Sequence, residues 1–500
     1  MTKKVDFDIV QPNPGALIES LRAFGYTPES AVADLVDNSI AAGAKHVDIR
    51  FEWEGATSRV IISDDGRGMP EAVLVNAMRA GSTSPSEERD PSDLGRFGLG
   101  LKTASFSQCR LLTVMSKTKK SPAACRRWDL DEVVRSGEWR LLHGPSEWAQ
   151  PLVAELEAQA CGTKVAWEKM DRLVGDSEVD DSWAQRHFFT VADKVADHLS
   201  MTFHRFLNGR KLSITINGHP VDQWDPFLEG NPARQVLGME RIKYTGGEVE
   251  VHPYVLPHRS KLADSDFSLA GGSRGWNDLQ GFYVYRNQRL LVAGDWLGLR
   301  FTKEEHYKLA RIRIDIPNNT DEQWQIDVRK SVAVPPPEIR EQLRRIAKVT
   351  RERAVEVYRH RGKVITKQSE KGITPIWLEK VRHGQISYVI NQEHDVVASA
   401  IDDPNPKSVR TLIRLIEETI PVPLIAINSA ERSQQHAAPL ENATPRAIAT
   451  LAETVYRSVR AKGSSHKVAR DRVLTMDPFH LYPELLEVLD SLEHDHEGSK

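Results

Sequence analysis

Cysteine is scarce in this chain: three in 500 residues, Cys109, Cys125 and Cys161, with no CxxC spacing among them. That excludes a disulfide-stapled scaffold and a cysteine zinc cluster, and predicts a reducing, cytoplasmic setting. No apolar run approaches the ~20 residues that a membrane helix needs. The opening MTKKVDFDIV carries positive charge but no apolar stretch behind it, so no secretory signal is expected. Net charge is small, −3, which argues against a chain that coats nucleic acid along its length and leaves room only for a local basic face. Internal repeats and low-complexity segments are also lacking. What is present is an ordinary globular balance, 40% hydrophobic and 27% charged, over a length too great for one core. Two or three domains are expected.

Residues 12 to 45 read as two short helices. The second is marked by Thr27 as N-cap, Pro28 at the first helical position, and an apolar stripe of Ala31, Val32, Leu35, Val36 and Ile40. Residues 45 to 53 alternate apolar and polar, which predicts a half-buried strand, and Val60-Ile61-Ile62 predicts a buried one. Residues 79 to 97, rich in Gly, Ser, Pro and charge, predict a mobile loop, followed by a helix from about Gly100 and a strand from Leu111 to Met115. Strand-like runs recur near Trp128 and over Thr163 to Trp167. An α+β fold results, with a first α/β sandwich ending near residue 205. Asn217-Gly218 within Lys211 to Val221 signals a hairpin that opens a second domain. Strands follow at Gly281 to Tyr285, Arg289 to Val292 and Arg311 to Ile316. After Pro335-Pro336-Pro337 comes a long helical pattern, Glu338 to His360, carrying Ile339, Leu343, Ile346 and Val357. The remainder predicts a strand pair and helices at 406–420, 445–461 and 482–492. The expected domains are therefore 1–205, 206–335, a basic helical connector at 336–373, and a mixed, mostly helical region at 374–500 whose role the sequence leaves open.

Three groups of residues carry chemistry. On the second helix Asp34, Asp37 and Asn38 lie away from the apolar stripe, and Asp34 and Asn38, four apart, project side by side. A carboxylate and an amide at that spacing can hold a hydrated magnesium ion and orient a water; an ordinary solvated face would show the same letters. Asp64-Asp65-Gly66-Arg67-Gly68-Met69 ends an apolar strand, where a carboxylate can accept from an exocyclic amine and the glycines let backbone approach a planar base. A plain Asp-Gly turn is the alternative. Third, Gly95-Arg96-Phe97-Gly98-Leu99-Gly100-Leu101-Lys102 joins three glycines to a helix start, a phosphate cradle of exposed N–H groups and helix dipole with the Lys102 charge added. No strand leads directly into it, so it is not the dinucleotide pattern.

In this fixed order, DxxxN on a helix, DxGxG after a strand, then GxxGxG, the chain resembles the ATP-binding domain of the GHKL superfamily (gyrase, heat-shock chaperone, histidine kinase, MutL). Gly162-Thr163 opening a strand matches the fourth element in order. Ala33 to Ala44 looks like the first motif of MutL and MORC proteins, and Phe97 to Ser105 is closer to the prokaryotic MORC-like branch. The resemblance implies a Bergerat-type α/β sandwich, an S5-like transducer domain over 206–335, and ATP and Mg2+ as cofactors. It assigns Asn38 to the metal, Asp64 to the adenine amine, Gly95, Gly98 and Gly100 to the phosphates, and Ser82 and Thr83 to a lid over the nucleotide. It counts Thr163 among the nucleotide-binding residues and makes Lys330, within Trp324 to Ser331, the candidate for the transducer lysine that reaches the γ-phosphate.

The implied activity is that of an ATPase and a nucleotide-dependent homodimer acting on DNA, beside restriction or phage-defence partners, with no membrane. One departure matters: Asp34 stands where hydrolysing members carry Glu, one methylene longer, so weak turnover is expected. The other class in play is a heat-shock-type chaperone without nucleic acid. With no His before Pro28, a sensor kinase is not expected, nor is a gyrase-type topoisomerase, since no cleavage domain is recognised after residue 340. The basic run Arg340, Arg344, Arg345, Lys348, Arg351, Arg353, Arg359, Arg361 and Lys363 offers either a phosphate-tracking face or a helix paired with its own Glu341, Glu352 and Glu356.

Overall fold

The computed structural model describes residues 8, 12–23, 25–79, 100–209, 211–317, 320–321, 323–326, 332–367, 376–382, 385–394, 397–398, 401, 406–420, 422, 425, 440, 443–476 and 478–492. The chain divides into two compact units, Met1–Tyr358 and Arg359–Lys500.

The first unit begins with helices α1 (Pro14–Arg22) and α2 (Pro28–Ala41). Thr27 caps α2 as expected, its hydroxyl accepting from Ser30 N while the Ser30 side chain accepts from the Thr27 N–H. Strands β1 (His46–Glu52) and β2 (Arg59–Asp64) follow, then α3 (Glu71–Met78), α4 (Gly100–Gln108), β3 (Leu111–Thr118), β4 (Ser121–Asp129) and α5 (Leu130–Ser136). Next come β5 (Leu142–His143), α6 (Gln150–Glu157), β6 (Gly162–Glu168), α7 (Ser182–Leu207), β7 (Ser213–Ile216) and β8 (His219–Pro220). The eight strands form one sheet in the order β5-β4-β3-β6-β2-β1-β7-β8. Every neighbouring pair is antiparallel except β1 and β7.

Period-two alternation decides what each face covers. Val60 and Ile62 of β2, Leu112 and Val114 of β3, and Val165 and Trp167 of β6 join Ile18, Val32, Val36, Phe106 and Phe188 of the helices in the main core. Ile61, Met115 and Ala166, one step out of phase, pack with Leu152 and Leu156 of α6 on the opposite face.

The 211–221 hairpin departs from expectation. Its Asn217-Gly218 turn forms with both residues left-handed (φ +48° and +79°), but β7 lies parallel to β1 and extends the first sheet. The expected boundary at 205 therefore falls inside α7. Strand propensity marked the hairpin, yet only the path of α7 back along the sheet selects its neighbour.

A second sheet contains β9 (Gln235–Val236), β10 (Glu240–Tyr244), β11 (Gly247–Val255), β12 (Gly281–Arg286), β13 (Arg289–Asp295) and β14 (Ala310–Ile316), in the order β10-β11-β14-β12-β13 with β9 on β11. Helices α8 (Asp264–Gly271) and α9 (Gly275–Asp278) lie between β11 and β12 in the chain. The long helix α10 (Arg340–Lys367) places Leu343, Ile346, Ala347 and Ala354 in this sheet's core. Its first half is thus part of the second module rather than a connector.

The second unit has an antiparallel pair, β15 (Trp377–Arg382) and β16 (Gln385–Ile390), and helices α11 (Pro406–Glu418), α12 (Pro445–Ala461), α13 (His466–Leu474) and α14 (Leu485–Ser491). Ile448, Ala452, Tyr456, Val473 and Leu489 build a small core there. Among the described residues no helix is long and apolar enough to cross a membrane.

Candidate functional site

The end of β2 carries the most constrained group of polar residues. Asp64 Oδ1 accepts from Gly66 N at 2.9 Å, and its Oδ2 accepts from Ser39 Oγ of α2 at 3.0 Å. Burial raises its pKa, and the N–H and hydroxyl donors only partly offset that. Across the sheet Asp64 is the register partner of Thr163, which is in turn the partner of Ser116. The Ser116 and Thr163 hydroxyls lie 2.8 Å apart, and Met69 N donates to Ser116 Oγ at 2.8 Å. The turn after β2 is thereby sewn over the ends of β6 and β3.

Its glycines are required by space. A Cβ on Gly66 would lie 2.8 Å from the Ala42 Cβ, and one on Gly68, at φ +68°, would lie 1.9 Å from the Lys117 carbonyl oxygen. The neighbouring carboxylate is occupied elsewhere. Asp65 Oδ1 accepts from Lys45 N and His46 N at 2.7 and 2.9 Å, so only Asp64 of the pair faces the site.

Ser39 links this turn to α2. There the expected polar face is mostly buried: Asp34 and Asp37 are 3% and 1% exposed, while Asn38 between them and Ser39 is open to solvent. Tyr26 Oη donates to Asp34 Oδ2 at 2.8 Å. Asp37 is held by Arg289 of the second module, whose Nε lies 2.9 and 2.8 Å from its two oxygens, with Nη2 3.9 Å from Asp34 Oδ1. Asp37 is therefore tied to the second module rather than open to a ligand. His198 of α7 borders the same charges. Burial, assisted by the Arg289 charge, lowers its pKa to about 4, so it is neutral near pH 7.

The third group arrives from α4. A Cβ on Gly100, where that helix begins, would stand 3.6 Å from Asp34 Oδ2, so the helix start borders the α2 carboxylate. Leu101 packs against the main core. Lys102 is buried, donates from Nζ to the Ala77 carbonyl at 2.9 Å, and has its pKa lowered by desolvation to about 8. Asp34, Asn38, Asp64, Gly66, Gly68, Met69, Gly100 and Thr163 thus lie on α2, the β2 turn, the start of β6 and the head of α4, while Leu101 is turned to the core and Lys102 to the Ala77 carbonyl of α3. Ser82, Thr83, Gly95, Arg96, Phe97, Gly98, Leu99 and Lys330 lie outside the described residues.

Tyr26, Ser39, Ser116 and Arg289 carry no mark in the sequence. A hydroxyl three or four residues from a motif gives no signal of its own. Arg289 sits 252 positions from its partner.

The donor set suits a nucleotide with magnesium. An acceptor carboxylate backed by hydroxyls and close glycine backbone fits a planar base with an exocyclic amine. The exposed Asn38 amide supplies one oxygen, and hydrated magnesium needs only one or two protein ligands beside phosphate and water. Among the described residues no cluster of three or more His, Cys, Asp or Glu offers a separate metal cage.

Comparison with known proteins agrees. Residues 26–163 match the family described as histidine kinase-, DNA gyrase B-, and HSP90-like ATPase. The chain is 27% identical over 260 residues to the DNA mismatch repair protein MutL of Herminiimonas arsenicoxydans, covering 49% of this chain and 38% of that protein. For MutL of Janthinobacterium sp. (strain Marseille) the figures are 24% over 280 residues, 53% and 42%. MutL of Rhodospirillum rubrum is 36% identical over 91 residues, 18% of this chain and 14% of that protein. The chain spans less than half the length of these relatives. The helices α1, α2, α4 and α7 over a mixed sheet are the Bergerat-type α/β sandwich.

Proposed function

From the premise that this chain carries a GHKL-superfamily ATPase domain similar to that of MutL, we propose that it is an ATP-driven conformational switch that dimerises on nucleotide and works on DNA. The observation that carries the reading is the Ser39–Asp64–Thr163–Ser116 array, which holds an acceptor carboxylate at a strand end beside the exposed Asn38.

Asp64 receives the adenine amine, and the Gly66–Met69 backbone lies along the base. Asn38 holds magnesium, which offsets the charge of the triphosphate and fixes its orientation. The α4 N-terminus would take the phosphates, and Gly95 and Gly98 are assigned to them by the family resemblance alone. Asp34 orients the attacking water, but its carboxylate is short, almost wholly buried and engaged by Tyr26, all of which favour slow turnover. Closure of the segment with Ser82 and Thr83, and engagement of the γ-phosphate by Lys330, complete the switch.

DNA as partner is supported by the names of the MutL relatives. Most described cations of α10 are engaged within the chain, Lys348 being 72% exposed and 4.0 Å from Glu352. Arg344, Arg345 and Arg353 pair with Glu341, Glu240 and Glu356, and Arg351 is buried 3.7 Å over the Tyr307 ring.

The test is calorimetric ATP binding with a parallel turnover assay on the wild type, Asn38→Ala and Asp34→Ala. Asn38→Ala is expected to lose magnesium-dependent binding, and Asp34→Ala to keep binding and lose turnover. If both hydrolyse ATP like the wild type, the roles are wrong. Gel shifts with ATP analogue should weaken steeply as salt rises; no shift at any salt would favour the chaperone reading.

A further inference from the structure

The turn between β12 and β13 carries two buried arginines that the nucleotide reading leaves unused. Its two residues, Asn287 and Gln288, are both left-handed (φ +45° and +67°), the tight hairpin geometry that makes Arg286 and Arg289 direct cross-strand partners. Arg286 Nε lies 2.8 Å from Asp321 Oδ1, and both side chains are buried. Arg289 holds Asp37 and approaches Asp34, as described, with its guanidinium 5.8 Å over Phe203 of α7. One four-residue turn of the second module therefore grips helix α2 through one arginine and the loop after β14 through the other.

Docking of the two modules has its own contacts. Arg205 of α7 pairs with Asp315 of β14 at 2.5 Å and stacks 3.4 Å over Tyr285. His204 is hydrogen-bonded to the Tyr285 hydroxyl at 2.8 Å, and Met201 packs against the aromatic cluster around Tyr283. A buried ion pair adds little net stability over well-packed apolar groups, and its better-attested contribution is to fix one register. Asp37 adjoins Asn38 and lies one helical turn from Asp34, so a rotation of α2 that displaced Asp37 would displace both.

We propose that Arg289 is a positioning residue for the nucleotide site. Through Asp37 it sets the rotation of α2 that presents Asn38 and Asp34, and through the turn shared with Arg286–Asp321 it makes that rotation answer to the second module. The inference rests on reading α2 and the β2 turn as an ATP site.

It is tested in the full chain with the double variant Arg289→Gln/Asp37→Asn, which keeps a hydrogen-bonding pair without charge, and with Arg289→Lys, which keeps charge without the fork. ADP binding in EDTA, which relies on Asp64, should stay within about threefold of wild type, while the magnesium-dependent gain in ATP affinity and kcat should fall on the order of 10-fold to 100-fold. Hydrogen exchange should also show that nucleotide no longer protects residues 281–295 and 320–326. Arg289→Lys should lie between the double variant and wild type, and it carries the same readouts if the double variant does not fold. The proposal is overturned if the magnesium gain and the distant protection survive. It is equally overturned if magnesium-free binding falls as far as magnesium-dependent binding, since that marks a merely structural tie. A wild-type protein that takes up no ATP fails the underlying site reading instead.

Discussion

Gly68 and Gly137 have nearly the same backbone, φ +68° and +67°, in opposite surroundings. At Gly137, the C-cap of α5, a Cβ would meet nothing within 4 Å. At Gly68 it would meet Lys117 O at 1.9 Å, Lys117 C at 2.6 Å and Gly162 O at 3.2 Å, all backbone. Substitution by alanine costs both sites the left-handed strain of an L-residue, about 1–2 kcal/mol. Only Gly68→Ala must also push the turn off β3, which breaks the Met69 N to Ser116 Oγ bond and leaves buried polar groups unmet, a further ~1–3 kcal/mol. Gly68→Ala is therefore expected to lose about 2–5 kcal/mol and Gly137→Ala about 1–2. Urea denaturation of the two variants measures the difference, and calorimetry with ATP measures the site. The displaced turn should lower nucleotide affinity for Gly68→Ala alone. Equal stability loss in the two variants, or unchanged affinity in Gly68→Ala, would refute the claim that this turn is pressed against β3 and forms the base-binding wall.

Asp64 has its pKa raised by burial, so nucleotide affinity should fall on acidification at a pH above the ~3.9 of an ordinary aspartate, and Asp64→Asn should bind weakly without that limb. The stability sign is opposite. Between the unfolded and the raised folded pKa the folded state binds the extra proton, so its contribution is present below that window and lost as pH rises through it. Asp64→Asn should accordingly weaken binding without lowering the urea midpoint at pH 7, and a clear loss of stability there would contradict the assignment. Lys102, lowered to about 8, contributes stability above its unfolded pKa that is lost as pH falls through 8. If it serves the phosphates, ATP binding at pH 8 should take up roughly half a proton, seen as a dependence of binding enthalpy on buffer, and Lys102→Met should abolish it.

Local patterns determined a good deal of this protein. Thr27-Pro28 and the stripe from Ala31 to Ile40 set the start and the buried face of α2. The run Val60 to Ile62 ending on Asp64, and the Asn217-Gly218 turn, formed where their letters placed them. Each of these depends on residues within a turn or two of helix or one hairpin, and capping, period and turn chemistry act at that range. Tertiary structure decided what such range cannot reach. An aspartate reads the same whether solvated or buried, so the separation of Asp37, tied to Arg289, from the open Asn38 beside it came from a chain that returns 252 residues later. The same holds for the 213–220 hairpin, whose sheet was chosen by the course of α7, and for the arginines of α10. Their charges, counted along the helix, suggest a phosphate face; Arg344 and Arg353 pair with Glu341 and Glu356 three residues away on the same helix, as the spacing allows, but Arg345 meets Glu240 and Arg351 the Tyr307 ring only because that helix packs on the second sheet. Long-range charge pairing and sheet membership are set by distance in space, and sequence separation carries no record of it.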